Sequence, residues 1–172
     1  MTPLHALETD RLRLVPWRDE LVDALWDMHA NPGVARYLDA QGRVYDRAKA
    51  VERVAGWRVE YADHGIGKFA IERKSDAAFI GRAGFSPFEG EPEIGYSLAP
   101  EHWNQGYASE IALGLRDWFF ANRPDSHFIG FAHMQNAASR RVLEKIGMIE
   151  THQGNVADMP HQFYILRRGP SA

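Results

Sequence analysis

Apolar and polar positions change rhythm several times along this chain, and each change marks an element. Residues 11–16, R-L-R-L-V-P, alternate and stop at a proline, as a half-buried strand does. Over residues 19–30, Leu21, Leu25 and Met28 recur at helical spacing, and Asn31, Pro32 and Gly33 are expected to stop that helix. A second helix is predicted over residues 45–64. Val51, Val54, Ala55, Val59 and Ala62 lie on or near one side of it, and Gly65 and Gly67 end it. Period two then returns. Residues 68–74 read as a strand, Ser75 and Asp76 as a tight turn, and residues 78–86 as the hairpin partner. Residues 87–92 read as a loop, and residues 93–99, E-I-G-Y-S-L-A, as the next strand.

A long helix follows over residues 105–122, where Ala108, Ile111, Ala112, Leu115, Trp118 and Phe119 make a broad apolar face. Residues 123–125, R-P-D, close it. Residues 128–133 read as a strand and 136–146 as a short helix, with Val142, Leu143 and Ile146 inward. Gly147 suits the position past its end, where φ is often positive. Strands near 148–151 and 162–167 complete the chain. The order is β-α-α-β-β-β-α-β-α-β-β. The hairpins imply an antiparallel sheet, and the helical crossover at 105–122 allows its flanking strands to be parallel neighbours. The expected fold is α/β: one domain over residues 1–172, with a mixed, mostly antiparallel sheet of about seven strands and four flanking helices.

Composition narrows the chemistry. The 172 residues contain no cysteine, which excludes disulfides, thiolate nucleophiles and cysteine-based zinc sites. A net charge of −3 argues against a nucleic-acid partner held by phosphate contacts. The first ten residues lack the pattern of a secretory signal, and no apolar run is long enough for a membrane span. A cytoplasmic protein with no membrane partner is expected, with a homodimer left open. The G-P-S-A tail, residues 169–172, reads as a disordered end.

Two stretches carry the candidate chemistry. W-N-Q-G-Y-A-S-E, residues 103–110, stands where a strand hands over to a helix. Amides at a helix start have no partner within the helix, and the dipole there is positive. A diphosphate at that point receives several N–H bonds. Gly106 lets the backbone come close, and Ala108 and Ser109 keep the first turn uncluttered. The same residues also suit a plain tight connection. No Gly-Lys-Ser/Thr follows, so this is not a Walker A loop. The second stretch is N-A-A-S-R-R-V-L-E-K-I-G-M, residues 136–148. Asn136 is placed to cap its helix, and Ser139 shares a face with Leu143 and Ile146, towards the sheet. A capping residue beside a tolerated small one is the plain structural reading.

These pieces, with L-E-T-D-R-L-R-L at residues 7–14 and F-I-G-R-A-G-F at 79–85, resemble the GCN5-related N-acetyltransferase (GNAT) superfamily and its RimJ/RimL-like branch, which acetylates ribosomal-protein N-termini. The resemblance spans nearly the whole chain. The superfamily's pyrophosphate motif, Arg/Gln-x-x-Gly-x-Gly/Ala, falls on Trp103 to Ala108, with tryptophan in place of the first residue. The resemblance implies acetyl-coenzyme A as acyl donor, a primary amine (a protein N-terminus or a small molecule) as acceptor, direct attack in a ternary complex, and no metal. Amides of Gln105, Gly106, Tyr107, Ala108 and Ser109 would hold the diphosphate. The parallel pair would splay, and the pantetheine arm would fill the gap along Ser97, Leu98 and Ala99, through the Ser97 and Ala99 amides. The Ser97 amide would polarise the acetyl carbonyl. Asn136 would bond the arm, and Ser139 would protonate the leaving thiolate, with Tyr164 the alternative. Glu93 is the candidate base, or else an ion-paired strand residue. Glu89 and Glu91 rival it, and the acidic segment favours a cationic acceptor. Arg140, Arg141 and Lys145 are candidates for the nucleotide phosphates. His133 and His161 are candidate bases or structural histidines, and Trp57, Tyr61 and Phe88 are pocket or core aromatics. A different class also fits: a non-catalytic acyl-coenzyme A sensor or assembly subunit.

Overall fold

The structure, a computed structural model, describes residues 1–169; the last three residues of the expected disordered tail lie outside the described residues. Seven strands form one sheet: β1 (Leu12–Val15), β2 (Lys68–Arg73), β3 (Phe79–Phe88), β4 (Glu91–Leu98), β5 (His127–His133), β6 (Ile149–Val156) and β7 (Met159–Arg167). Their order in space is β1-β2-β3-β4-β5-β7-β6. Every neighbouring pair is antiparallel except β4 and β5. The α-helices are α1 (Asp19–His29), α2 (Pro32–Ala35), α3 (Arg47–His64), α4 (Tyr107–Asn122) and α5 (Ala137–Lys145).

α2 is a helix beyond the four expected from the sequence. Asn31, Pro32 and Gly33 do end α1, but they also start α2: the Asn31 side chain accepts from the Gly33 amide, and Pro32 takes the first helical position. The buried face of α3 also differs. It consists of Ala50, Val54 and Trp57, while Val51 and Val59 face solvent. The bulk of the Trp57 indole, packed under Trp17, fixes which face turns inward. The predicted loop over residues 87–92 is instead a tight hairpin. Glu89 and Gly90, with φ of 50° and 84°, form a two-residue turn between β3 and β4. Pro87 and Pro92 stand opposite each other at a non-hydrogen-bonded site of that pair, so neither deprives the β3–β4 ladder of a donor. The last two strands run longer than expected and meet in a similar turn at Ala157 and Asp158.

One face of the sheet packs on α4 and α5 through Ile71, Phe85, Ile94, Ile111, Phe119 and Leu143. The other packs on α1 and α3 through Ala70, Leu25, Val54 and Trp57. That second face is partly charged: Lys68, Glu72, Arg82 and Glu93 are all buried there. Glu72 is matched by Arg13 at 3.0 Å and Arg18 at 2.6 Å. His29 at the end of α1 is fully buried, stacks on Tyr45 with centroids 4.2 Å apart, and leaves its Nδ1 without a partner.

Burial, reinforced by the charges of Arg82 and Arg53, lowers the His29 pKa from 6.5 to about 2. The unfolded chain therefore takes up a proton below pH 6.5 that the folded protein refuses, so stability falls with pH through that window. Wild type should lose about 2 kcal/mol more than His29→Phe between about pH 6 and about pH 4.5 in urea unfolding. Equal losses would show that the imidazole titrates freely.

Candidate active site

The β4–α4 junction is built as an open cradle. Gly106 is the N-cap of α4 with φ of 80°, and no side chain caps the helix start. Asn104 is also left-handed, with φ of 59°, so the chain turns sharply just before the helix. The first amides of α4 therefore face outward unpaired. A clamp holds the loop from behind. The Glu110 carboxylate accepts from the Thr9 hydroxyl at 2.6 Å, from the Arg11 amide at 2.8 Å and from Arg11 Nε at 2.6 Å. Arg11 also donates to the Gln105 carbonyl at 3.0 Å and lies over the Tyr107 ring. This gives a physical role to the L-E-T-D-R-L-R-L opening.

β4 and β5 share a single register pair, Glu93 with Ile129, and then diverge. The gap is bordered by two cavities of about 770 Å³ and about 980 Å³. The smaller one runs from Gly106, Tyr107, Ala108 and Ser109 past Ser97 and Leu98 to Asn136. The larger one lies over Lys68, Arg82 and Glu93. Tyr37, Leu38, Tyr96, Asn136 and Ser139 line both, so the cavities meet there.

Asn136 caps α5 by accepting from the Ser139 amide. The Tyr96 hydroxyl donates to the Ser139 carbonyl at 3.1 Å and lies 3.3 Å from its Oγ, which leaves the serine hydroxyl free to donate. Burial pushes the Tyr96 phenol up, so it keeps its proton. Lys68 Nζ and Glu93 Oε2 are 3.2 Å apart and both buried. Burial raises the Glu93 pKa and lowers that of Lys68, each against the pull of the other. Gly95 makes room for this pair: a Cβ there would come within 2.5 Å of Lys68 Nζ.

Several sequence expectations change. The Ala99 amide donates to Ile80 of β3 at 2.9 Å and does not face the gap. Ladder alternation turns the Ser97 amide, opposite Arg82, towards β3 as well. The amides turned to the gap belong to Tyr96 and Leu98; the Leu98 carbonyl there accepts from the Trp103 indole at 2.9 Å. Gln105 and Ala99 do not line the smaller cavity, whereas Ser97, Leu98, Gly106, Tyr107, Ala108, Ser109 and Asn136 do. Arg141 and Lys145 line it, but Arg140 turns away to Tyr164 and Glu150. Tyr164 is enclosed with those partners and reaches neither cavity, so it is misplaced as a proton donor. Glu89 and Glu91 are exposed at the hairpin, outside both cavities. His133, His161 and Phe88 line the larger cavity, Trp57 lies behind its wall, and Tyr61 packs on Phe69. Tyr96, Lys68, Arg82, Arg36 and Tyr37 were missed. A polar-tipped aromatic and buried charges on alternating strand positions were the available signal.

The profile described as Acetyltransferase (GNAT) domain matches residues 11–149. The chain belongs to the GNAT acetyltransferase family. An uncharacterized N-acetyltransferase of Bacillus subtilis, YoaA, is 30% identical over 144 residues, covering 82% of this chain and 81% of that protein. The crystal structure of an acetyltransferase from Agrobacterium tumefaciens superposes with a TM-score of 0.82 at 26% identity, over 94% of both chains. RimL, a ribosomal L7/L12 alpha-N-protein acetyltransferase solved in complex with coenzyme A, shares the fold at a TM-score of 0.79 and 17% identity, over 92% of this chain and 95% of that one. The RimJ/RimL-like resemblance therefore holds, and this GNAT is an N-acetyltransferase using acetyl-coenzyme A. No helix among its described residues is long and apolar enough to cross a membrane.

Gly106→Glu places a carboxylate against the outward amides and should abolish coenzyme A binding in calorimetry. An unchanged affinity would reject this loop as the phosphate cradle.

Proposed function

We propose that this GNAT acetylates a primary amine by direct attack in a ternary complex, with donor and acceptor entering from opposite sides of Tyr96 and Ser139. The meeting of two cavities at those residues, with Glu93 facing the second, is the observation that carries this reading. The smaller cavity suits acetyl-coenzyme A. It offers unpaired helix-start amides at Gly106 to Ser109, the cations Arg36, Arg141 and Lys145, and the gap-facing amides of Tyr96 and Leu98. RimL, bound to coenzyme A in its solved structure, supports that assignment. The bound donor supplies an activated acetyl thioester.

The chain's own groups then have three tasks. An ammonium has no free lone pair, so a base must first take its proton. Glu93 does this, directly or through one water, while Lys68 keeps the carboxylate ionised inside an environment that favours the neutral form. The two groups titrate as a unit. The Tyr96 and Leu98 amides at the gap stabilise charge developing on the carbonyl oxygen, the role first assigned to Ser97. As nitrogen bonds to the acetyl carbon and the carbon–sulfur bond breaks, the nitrogen's second proton passes through the Ser139 hydroxyl, oriented by Tyr96, to sulfur, so the serine ends protonated.

Glu93→Gln should lower kcat by about 100-fold or more, as loss of a general base does. Lys68→Met removes the largest charge that opposes burial at Glu93, so its pKa rises and the base stays protonated to higher pH. The acidic limb of the pH profile of kcat/KM should therefore move to higher pH. A limb that stays in place excludes Glu93 as the base. Ser139→Ala should lower kcat while the acetyl-coenzyme A dissociation constant holds; a normal kcat would remove the serine from proton delivery.

A further inference from the structure

The acceptor-side cavity contains two arginines that hold no carboxylate among the described residues. Every carboxylate lining it is hydrogen-bonded, three to cations and two, Glu60 and Asp46, to neutral groups. Glu93 holds Lys68, Glu60 accepts from the Ser86 hydroxyl at 2.8 Å, Asp39 holds Arg43, Glu52 holds Lys49, and Asp46 caps α3. Two guanidinium groups lining the same cavity have no carboxylate partner among the described residues. Arg82 is 5% exposed; its Nε faces His29 Nε2 at 3.5 Å, and its terminal nitrogens make no hydrogen bond. Arg53 is half buried and its Nε has no partner. Both guanidinium carbons lie 5.2 Å from the centroid of the Trp57 ring, which draws two like charges to one indole. Unpaired buried charge is unfavourable, and the repulsion between the two adds to it. An oxyanion placed between them relieves both.

The positions of the charges are ordered along the sheet. Arg82 stands opposite Ser97, Lys68 opposite Gly84 and so beside Gly95, and Glu93 opposite Ser86. One face thus presents Arg82, Lys68 and Glu93 in sequence. On this strip of sheet one carboxylate, paired with Lys68, stands against two cations. The acidic hairpin residues Glu89 and Glu91, expected to attract a cation, stand outside the cavity.

We propose that the acceptor is a small amine carrying its own oxyanion, a carboxylate or phosphate, which Arg82 and Arg53 hold while the nitrogen faces Glu93. This rests on the reading of this cavity as the acceptor side. A polyamine, which has only cationic ends, meets repulsion at the arginine end.

Thiol release from acetyl-coenzyme A tests the assignment with matched acceptors. These are α-amino acids beside their carboxamides and decarboxylated amines, O-phosphoethanolamine beside ethanolamine, and spermidine. The anionic member of at least one set should exceed its neutral counterpart in kcat/KM by about 100-fold, the scale of a desolvated charge pair. The carboxylate and phosphate arms identify the oxyanion. Arg82→Met and Arg53→Met should each shrink that ratio about 10-fold or more, and Arg82→Lys should shrink it less, with coenzyme A affinity as the folding check. Spermidine or a neutral amine outperforming every anionic one, or a ratio that neither arginine variant alters, overturns the proposal. If no acceptor releases thiol, calorimetric titration of the anionic amines into the coenzyme A complex decides. Binding that Arg82→Met removes upholds the oxyanion site and counts against the transfer reading alone; no binding overturns the site.

Discussion

Two parallel strands that part after one shared register position impose the central constraint on this molecule. Backbone donors left along a buried edge must find acceptors, from the protein, from solvent or from a ligand. β4 beyond Glu93 is such an edge. Its alternate amides are committed to β3, and those of Tyr96 and Leu98 are left facing the gap. The cradle at Gly106, the capped start of α5 at Asn136 and the two cavities are all arranged around that opening. On the proposed function, a thioester arm of extended shape would satisfy the edge in the way a further strand would.

Much of this was legible in the sequence, because it depends on local spacing. The apolar faces of α4 and α5, the left-handed glycine before α4 and the capping asparagine before α5 all lie within one turn of the residues that reveal them. What escaped notice depends on distance or parity. The Lys68–Glu93 contact joins residues 25 apart in the chain, and the Arg11–Glu110 clamp joins residues 99 apart. Which amides of β4 face the gap is a matter of pairing register, and a shift of one residue exchanges Ser97 for Leu98. The hairpin at Glu89 and Gly90 was masked by flanking prolines, which are harmless at the non-hydrogen-bonded pair they occupy. The buried face of α3 was misread because small aliphatic residues suggested one side and a single large indole decided the other.

The charged face beneath α1 and α3 divides by function. Near β1, Glu72 is neutralised by Arg13 and Arg18, an arrangement that is complete in the protein alone. Further along the same face, Glu93 and Lys68 are matched to each other, and among the described residues Arg82 and Arg53 hold no carboxylate. His29, held neutral behind Arg82, can accept one guanidinium hydrogen but offers no compensating charge. The helices that cover this face set how far each charge is desolvated, and with that how strongly it acts on whatever enters.

The clamp of Thr9, Arg11 and Glu110 ties the start of the chain to a loop almost a hundred residues away. β1 is one of the sheet's two edge strands and so prone to fray. On the proposed function, fraying there would slacken the grip on the donor's phosphates, and by thermodynamic reciprocity an occupied cradle would quieten the edge. The clamp's hydrogen bonds thus join the margin of the sheet to the Gly106 loop.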